Sequence, residues 1–210
     1  MQRLAGWQHK RGMTGDSRCD SELLAGLPRQ PELVGVLYER HARAVFRYLA
    51  RRAGPSAAED LLSEVFVAAL SASARVVAHD SGSALPWLYG IALKVLRAHF
   101  RRQPAAASVA RDLGMDWDAV DERLDALAER GRLRAALDGL ARSDRELLLL
   151  VAWECLTPAE AAAALGITQV AARSRLHRAR KRAMKALQNV RATPGTAELV
   201  TSLYAKEKAS

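Results

Sequence analysis

From Pro31 onward, apolar positions recur every three to four residues, the period of a helix with one buried face. Leu37, Val45, Phe46 and Leu49 keep this spacing up to Gly54-Pro55, a pair that stops a helix. Beyond it Leu62, Val65, Phe66 and Ala69 fall at i, i+3, i+4 and i+7, the stripe of an amphipathic helix. Ser56-Ala57-Ala58-Glu59 stands just ahead with the spacing of a capping box, in which a hydroxyl accepts from the first turn and a carboxylate reaches back. SASARVVAHDSGSA then reads as a loop. LPWLYGIALKVLRAHFRR is helical again, with Leu88, Ile91, Val95 and His99 on its inner side.

Composition shifts at Gln103-Pro104. Residues 104–131 are rich in alanine and acids (Asp112, Asp116, Asp118, Asp121, Glu122, Asp125, Glu129) and read as a linker, helical in its second half. Ser143-Asp144-Arg145-Glu146 has capping-box spacing before the apolar run Leu147 to Trp153. Thr157-Pro158-Ala159-Glu160 repeats the pattern, with proline at the first helical position, where its missing N–H costs nothing. Gly166 ends this short helix and Thr168 can cap the next. No segment alternates long enough to be a strand. The expected architecture is all-α, two small helical domains joined by a flexible linker. The first covers 30–103. The second covers 132–190 and contains a helix-turn-helix. Residues 1–29 lack a clear period and are expected to form a poorly ordered extension; 191–210 form a tail that suggests no role.

Charge narrows the partners. Of 210 residues half are apolar, enough for real cores, and the net charge is +9, which favours an acidic partner, nucleic acid first. Cys19 and Cys155 are far apart, and the histidines offer them no metal-ligand spacing, so neither metal nor cofactor is expected. No apolar run approaches a membrane span, and the basic N-terminal residues have no apolar core behind them, so neither membrane insertion nor a signal peptide is expected. The chain reads as a reduced, cytoplasmic one. No paired carboxylates, nucleophile–base set or phosphate loop stands at useful spacing, so it does not read as an enzyme.

The charge is concentrated in AARSRLHRARKR, Ala171 to Arg182. On a helix, Ala172, Leu176, Ala179, Ala183 and Val190 form one apolar stripe. Ser174, His177, Arg178, Lys181 and Lys185 lie opposite, with Arg173, Arg175, Arg180 and Arg182 on the flanks. No acid occurs between Ala161 and Ala197. A solvated helix normally mixes signs to gain i,i+4 pairs; here phosphates would supply the missing anions. Recognition helices meet base edges with their first turns. Arg173 and Arg178 are the long donors that could fork onto guanine, with Ser174 and His177 as shorter readers. Arg175, Arg180, Arg182 and Lys185 suit phosphates, as do the free N–H groups near Thr168 and Gln169.

LTPAEAAAALGITQVAARSRLHRARKR closely resembles the promoter-binding C-terminal region of extracytoplasmic-function sigma factors of bacterial RNA polymerase. AEDLLSEVFVAAL and LPWLYGIALKVLRAHFRR resemble the N-terminal region of the same family. The blocks stand in the family order and span roughly Leu33 to Leu187. The resemblance implies an N-terminal domain that grips the clamp of core RNA polymerase and opens the −10 promoter element. It implies a C-terminal domain that docks on the polymerase flap and reads the −35 element. The acidic linker between them would thread towards the RNA exit path. It leaves room for an anti-sigma factor as a further partner.

Carried over by position, Asp60, Ser63 and Glu64 match the core-binding helix, Ser63 standing where many members have Gln. Trp87, Tyr89, Lys94, Arg97, Arg101 and Arg102 match the −10 and melting helix, in which cations track the backbone and rings stack on unpaired bases. Leu93, Lys94 and Ala98 depart from the Arg, Asn and Asp common at those positions. A flipped −10 base would be held in the loop 73–83. Thr168, Gln169, Arg173, Ser174, Arg175, His177, Arg178, Lys181 and Arg182 match the −35 reader. The competing reading is a helix-turn-helix regulator that binds an operator as a dimer; it leaves the Asp60/Glu64 block without a purpose. A module that only sequesters a protein would have no use for uncompensated arginine.

Overall fold

The computed structural model describes residues 16–76, 81–103 and 127–191. The chain divides into two units, Met1–Met115 and Asp116–Ser210. Among the described residues each unit is built of helices joined by short turns.

The first unit is built on α1 (Asp20–Gly26), α2 (Val34–Ala53), α3 (Pro55–Ala72) and α4 (Leu85–Arg102). Helices α2, α3 and α4 pack mutually. Their periodic residues form the core: Leu37, Val45 and Leu49 from α2, Leu62, Val65, Phe66 and Ala69 from α3, Leu88, Ile91 and Val95 from α4 are all buried. Rings join the helices. Tyr38 meets Phe66 edge-on at 4.8 Å, and Tyr48 lies 4.9 Å from Tyr89. The Arg52 guanidinium stacks 3.7 Å above the Tyr48 ring.

The break between α2 and α3 is a single residue. Gly54 adopts φ +83°, and Pro55 starts α3 immediately. Ser56 is therefore already inside the helix, and the capping box expected at Ser56–Glu59 does not form. The loop between α3 and α4 opens with a short 3-10 turn, Ser73–Arg75.

Residues 16–29 are not the expected loose extension; residues 1–15 lie outside the described residues. Leu23, Leu24 and Leu27 are fully buried. The Glu22 carboxylate accepts the Cys19 N–H at 2.7 Å and caps α1. Asp20 anchors the segment. Its Oδ2 accepts the Ala84 backbone N–H at 3.0 Å and lies 2.7 Å from His41 Nε2, while Oδ1 accepts from Arg40 at 3.2 Å. Ser21 Oγ donates to the Gly82 carbonyl at 3.3 Å. One side chain thus ties α1 to α2 and to the residues leading into α4.

The second unit contains α5 (Leu127–Asp138), α6 (Arg142–Ala152), α7 (Pro158–Leu165) and α8 (Gln169–Arg191). Helix α8 packs on α5, α6 and α7. Residues 127–131, expected in the linker, are the first turns of α5, and 104–126 lie outside the described residues. Arg142 begins α6 with Ala141 as its cap, and the Ala141 carbonyl accepts from Asp144 and Arg145. Ser143 is inside the helix, so that expected capping box is also absent. The Arg145 guanidinium instead holds the end of α5, donating to the Asp138 carbonyl at 3.1 Å and pairing with its carboxylate at 3.0 Å.

Burial pushes the Asp20 carboxyl up, but the Ala84 N–H, the His41 ring and Arg40 outweigh it, and its pKa falls below the ordinary 3.8. A carboxylate with a depressed folded pKa stabilises above its unfolded pKa and loses that contribution as pH falls through the folded value. Asp20→Ala is expected to cost about 1–3 kcal/mol at pH 7, because it takes the acceptor from the buried Ala84 N–H and the carboxylate from His41 and Arg40. Urea unfolding of the full chain, with amide hydrogen exchange read on α2 to α4, measures this. The difference from wild type should persist down to pH about 4 and shrink progressively as pH falls further, through the folded value.

Candidate nucleic-acid and polymerase interfaces

The helix-turn-helix is assembled by its caps. Thr157 Oγ1 accepts the Glu160 N–H at 3.2 Å, and Glu160 Oε2 accepts the Thr157 N–H at 2.8 Å, so the expected capping box is complete. The Glu160 side chain is buried there, satisfied by its cap. At the far end Gly166 takes the left-handed conformation, φ +66°. Its N–H reaches the Ala163 carbonyl at 3.2 Å, and the Ile167 N–H reaches Ala162 at 3.0 Å, the paired bonds that close a helix and redirect the chain. Thr168 then caps α8, its Oγ1 accepting the Ala171 N–H at 3.2 Å.

Alanines face each other across the motif. Ala161, Ala162 and Ala164 of α7 are buried, as are Ala172, Ala179 and Ala183 of α8, with Leu176 among them. Val190 lies outside the described side chains. This stripe seats α8 by small residues and turns every cation outward. Arg173, Arg178, Arg180, Lys181, Arg182 and Lys185 are exposed and Arg175 is half-buried, while Thr168, Gln169, Ser174 and His177 are exposed beside them. Among the described residues Arg182 has an acidic neighbour, Asp144 of α6 at 3.8 Å, and the other six cations form no ion pair.

In the first unit Lys94, Arg97 and Arg101 share the exposed side of α4, as expected. Trp87 is half-buried. Tyr89 departs from expectation: it is 2% exposed, its ring packed on Tyr48, so it belongs to the core and offers no face to a base. Leu93, the departure from the family's arginine, is also buried. Asp60, Ser63 and Glu64 are exposed on α3. The Ser63 hydroxyl turns back to donate to the Glu59 carbonyl at 3.2 Å. The carboxylate of Glu64 pairs with Arg102 at 3.0 Å. A residue matched to the core-binding helix and one matched to the −10 helix are thus joined across α3 and α4, in a solvated pair worth about 0–1 kcal/mol. Of the loop 73–83, Ser73 is buried and 77–80 lie outside the described residues.

Sequence reasoning missed two features. Asp20 was hidden because its partners stand 21 and 64 residues away, although acids followed by Leu23, Leu24 and Leu27 did mark a short helix. Val170 in the first turn of α8 is 77% exposed, and its apolar character drew attention away from the interface. Among the described residues no three His, Cys, Asp or Glu side chains are grouped to hold a metal ion, and no helix is long and apolar enough to cross a membrane.

Two family models match, one in each unit: sigma-70 region 2 over residues 37–105 and sigma-70 region 4 over residues 130–182. The chain is similar to RNA polymerase sigma factor NccH of Alcaligenes xylosoxydans xylosoxydans, 30% identical over 165 residues that cover 74% of this chain and 87% of that protein. It is 31% identical over 132 residues to the probable RNA polymerase sigma factor RfaY of Xanthomonas campestris pv. campestris, covering 60% of this chain and 32% of that longer protein. Among solved structures, CnrH in complex with the cytosolic domain of CnrY matches with a TM-score of 0.54 and 25% identity, covering 81% of this chain and 97% of that one. The chain belongs to the extracytoplasmic-function sigma factors of RNA polymerase. Its work is to join the polymerase and direct it to promoters; the polymerase supplies the chemistry. An operator-binding regulator would leave the region 2 match unexplained.

Gly166 and Cys155 test the backbone of the motif. A Cβ at Gly166 would meet nothing within 4 Å, so any penalty there is conformational. Gly166→Ala is expected to destabilise the second unit by about 1–2 kcal/mol, the cost of left-handed backbone for an L-residue. Exposed Cys155 already sits at φ +56°, so Cys155→Gly should be neutral or stabilising by up to about 1 kcal/mol. Denaturant unfolding of both variants checks the opposite signs.

Proposed function

We propose that the second unit reads the −35 element through α8 and docks on the polymerase flap, while the first grips the polymerase clamp and opens the −10 element. The observation that carries this is the outer face of α8, a capped helix of exposed cations without an acid of its own, seated by alanines. Arg173 and Arg178 take base edges, with Ser174 and His177 beside them. Thr168, Gln169, Arg175, Lys181 and Arg182 hold phosphates and set the register. On α4, Lys94, Arg97 and Arg101 track the melted strand and Trp87 offers the edge of a ring; Tyr89 is left out because it is core. Asp60, Ser63 and Glu64 present the acidic face to the clamp. CnrH is seen with the cytosolic domain of CnrY, and we extend to this chain a protein partner of that kind, an anti-sigma factor.

Run-off transcription with core polymerase, with and without the chain, tests the whole reading. Initiation at a selected promoter should appear only with the chain. Arg173→Ala or Arg178→Ala should cost about 1–3 kcal/mol on the matched −35 sequence and less on scrambled ones. Lys185→Ala should weaken all sequences alike and lower the salt slope by about one. Uniform effects from all three would refute base reading by α8. Asp60→Arg with Glu64→Arg should abolish core binding while the fold survives, since both side chains are solvent-facing. Equal core affinity, measured directly, would remove the clamp assignment.

A further inference from the structure

The side chains of α8 that point furthest from its buried stripe are not its arginines. At about 100° per residue from Ala172, Val170, Ser174 and His177 come to lie opposite the stripe in the first turns, and Lys181 and Lys185 continue that face beyond them. Arg173 and Arg180 fall on one flank, Arg175, Arg178 and Arg182 on the other. Over the first two turns that outer face is therefore short and uncharged, with Arg173 on one side and Arg175 and Arg178 on the other. Val170 begins it, and at 77% it is the most exposed large hydrophobic among the described residues.

Nothing in the fold accounts for valine there. It contributes no packing to the stripe, and a β-branched side chain is a poor helix former. An acid in the same turn would gain from the helix dipole and relieve the neighbouring arginines. A partner that covers Val170 must therefore be anionic on both sides and apolar in a small spot between. The major groove has that arrangement: phosphate backbones flank a floor on which thymine alone carries a methyl group.

We propose that Val170 packs against the C5-methyl of a thymine in the −35 element, so that it reads one base by apolar contact. This inference rests on the −35 reading of α8 given above. The arginines would select guanine and anchor phosphates, and Val170 would add a thymine at the end of the site met by the first turn of the helix.

The test uses the full chain assembled with core polymerase. Promoter duplexes with a randomised −35 region are selected with wild type and with Val170→Ala. Wild type should prefer thymine at one position that the variant reads indifferently. Replacing that thymine with deoxyuridine, which lacks only the methyl, should weaken wild type about fourfold, the worth of one buried methyl group. The same replacement should leave Val170→Ala nearly unchanged. A flat deoxyuridine scan in wild type, or an equal loss in the variant, overturns the proposal. Arg173→Ala and Arg178→Ala, run on the same duplexes, separate the two levels. If they weaken binding while the scan is flat, only the Val170 assignment falls. If they too have no effect, the −35 reading fails and Val170 falls with it.

Discussion

Like-charge repulsion along α8 is the constraint around which the second unit is organised. Arg173, Arg175, Arg178, Arg180, Lys181, Arg182 and Lys185 crowd less than four turns without an acid. Each like-charge pair at i,i+4 costs a few tenths of a kcal/mol in an isolated helix. Such a segment gains helix only by packing, and the rest of the unit supplies it. Ala172, Leu176, Ala179 and Ala183 are buried, and α5, α6 and α7 all pack on α8. Thr168 satisfies one orphan N–H at its start. The unit stabilises one helix against its own charge and leaves that charge available.

The first unit meets the opposite problem. Helix α4 buries Leu88, Tyr89, Ile91, Ala92, Leu93, Val95 and Leu96, so its apolar face is broad and its polar face narrow. Lys94, Arg97 and Arg101 have little room to be anywhere but in solvent, and their direction follows from how α4 is seated. The seat is fixed at its start by a charge, since Asp20 holds the Ala84 N–H while engaging His41 and Arg40. A carboxylate with several donors is costly to disturb, because removing it leaves buried donors unpaired. Its position, just before the helix with the cationic face, makes α1 part of the machinery that aims that face.

Where the sequence was legible, one element decided its own structure. The stripes of α2, α3, α4 and α8 follow from helical spacing, and the Gly166 turn follows from a residue free to take positive φ. Thr157–Glu160 formed its capping box because proline at the first helical position fixes where that helix starts. The same Ser/Thr-x-x-Glu pattern failed at Ser56 and Ser143, where a neighbour started the helix earlier: Gly54 with Pro55 in one case, Ala141 in the other. Tyr89 was misread because a ring among cations looks alike whether it faces a base or another ring, and only Tyr48, 41 residues earlier in the chain, decides. Asp20 was missed for the same reason. Tyr89 and Asp20 were set by contacts distant along the chain, and the two failed caps by the residues just ahead of them.

The two faces in the proposed reading also differ in what they could do alone. The cations of α8 would bind any duplex through phosphates, with an affinity that falls steeply as salt rises. Those of α4 need strands already parted. In that reading neither unit would find a promoter by itself, and a tight grip by either would hold the chain on the wrong DNA. Weakness in each would then let the polymerase decide. Once the enzyme fixes the distance between them, engagement of one raises the effective concentration of the other at a single spacing, and affinity and specificity then rise together. The Glu64–Arg102 pair extends this logic to one contact. If the clamp takes the carboxylate of Glu64, Arg102 loses its partner and its guanidinium is released beside Arg101. An exposed ion pair is weak enough to break, so joining the polymerase would free the Arg102 guanidinium at a cost of no more than about 1 kcal/mol.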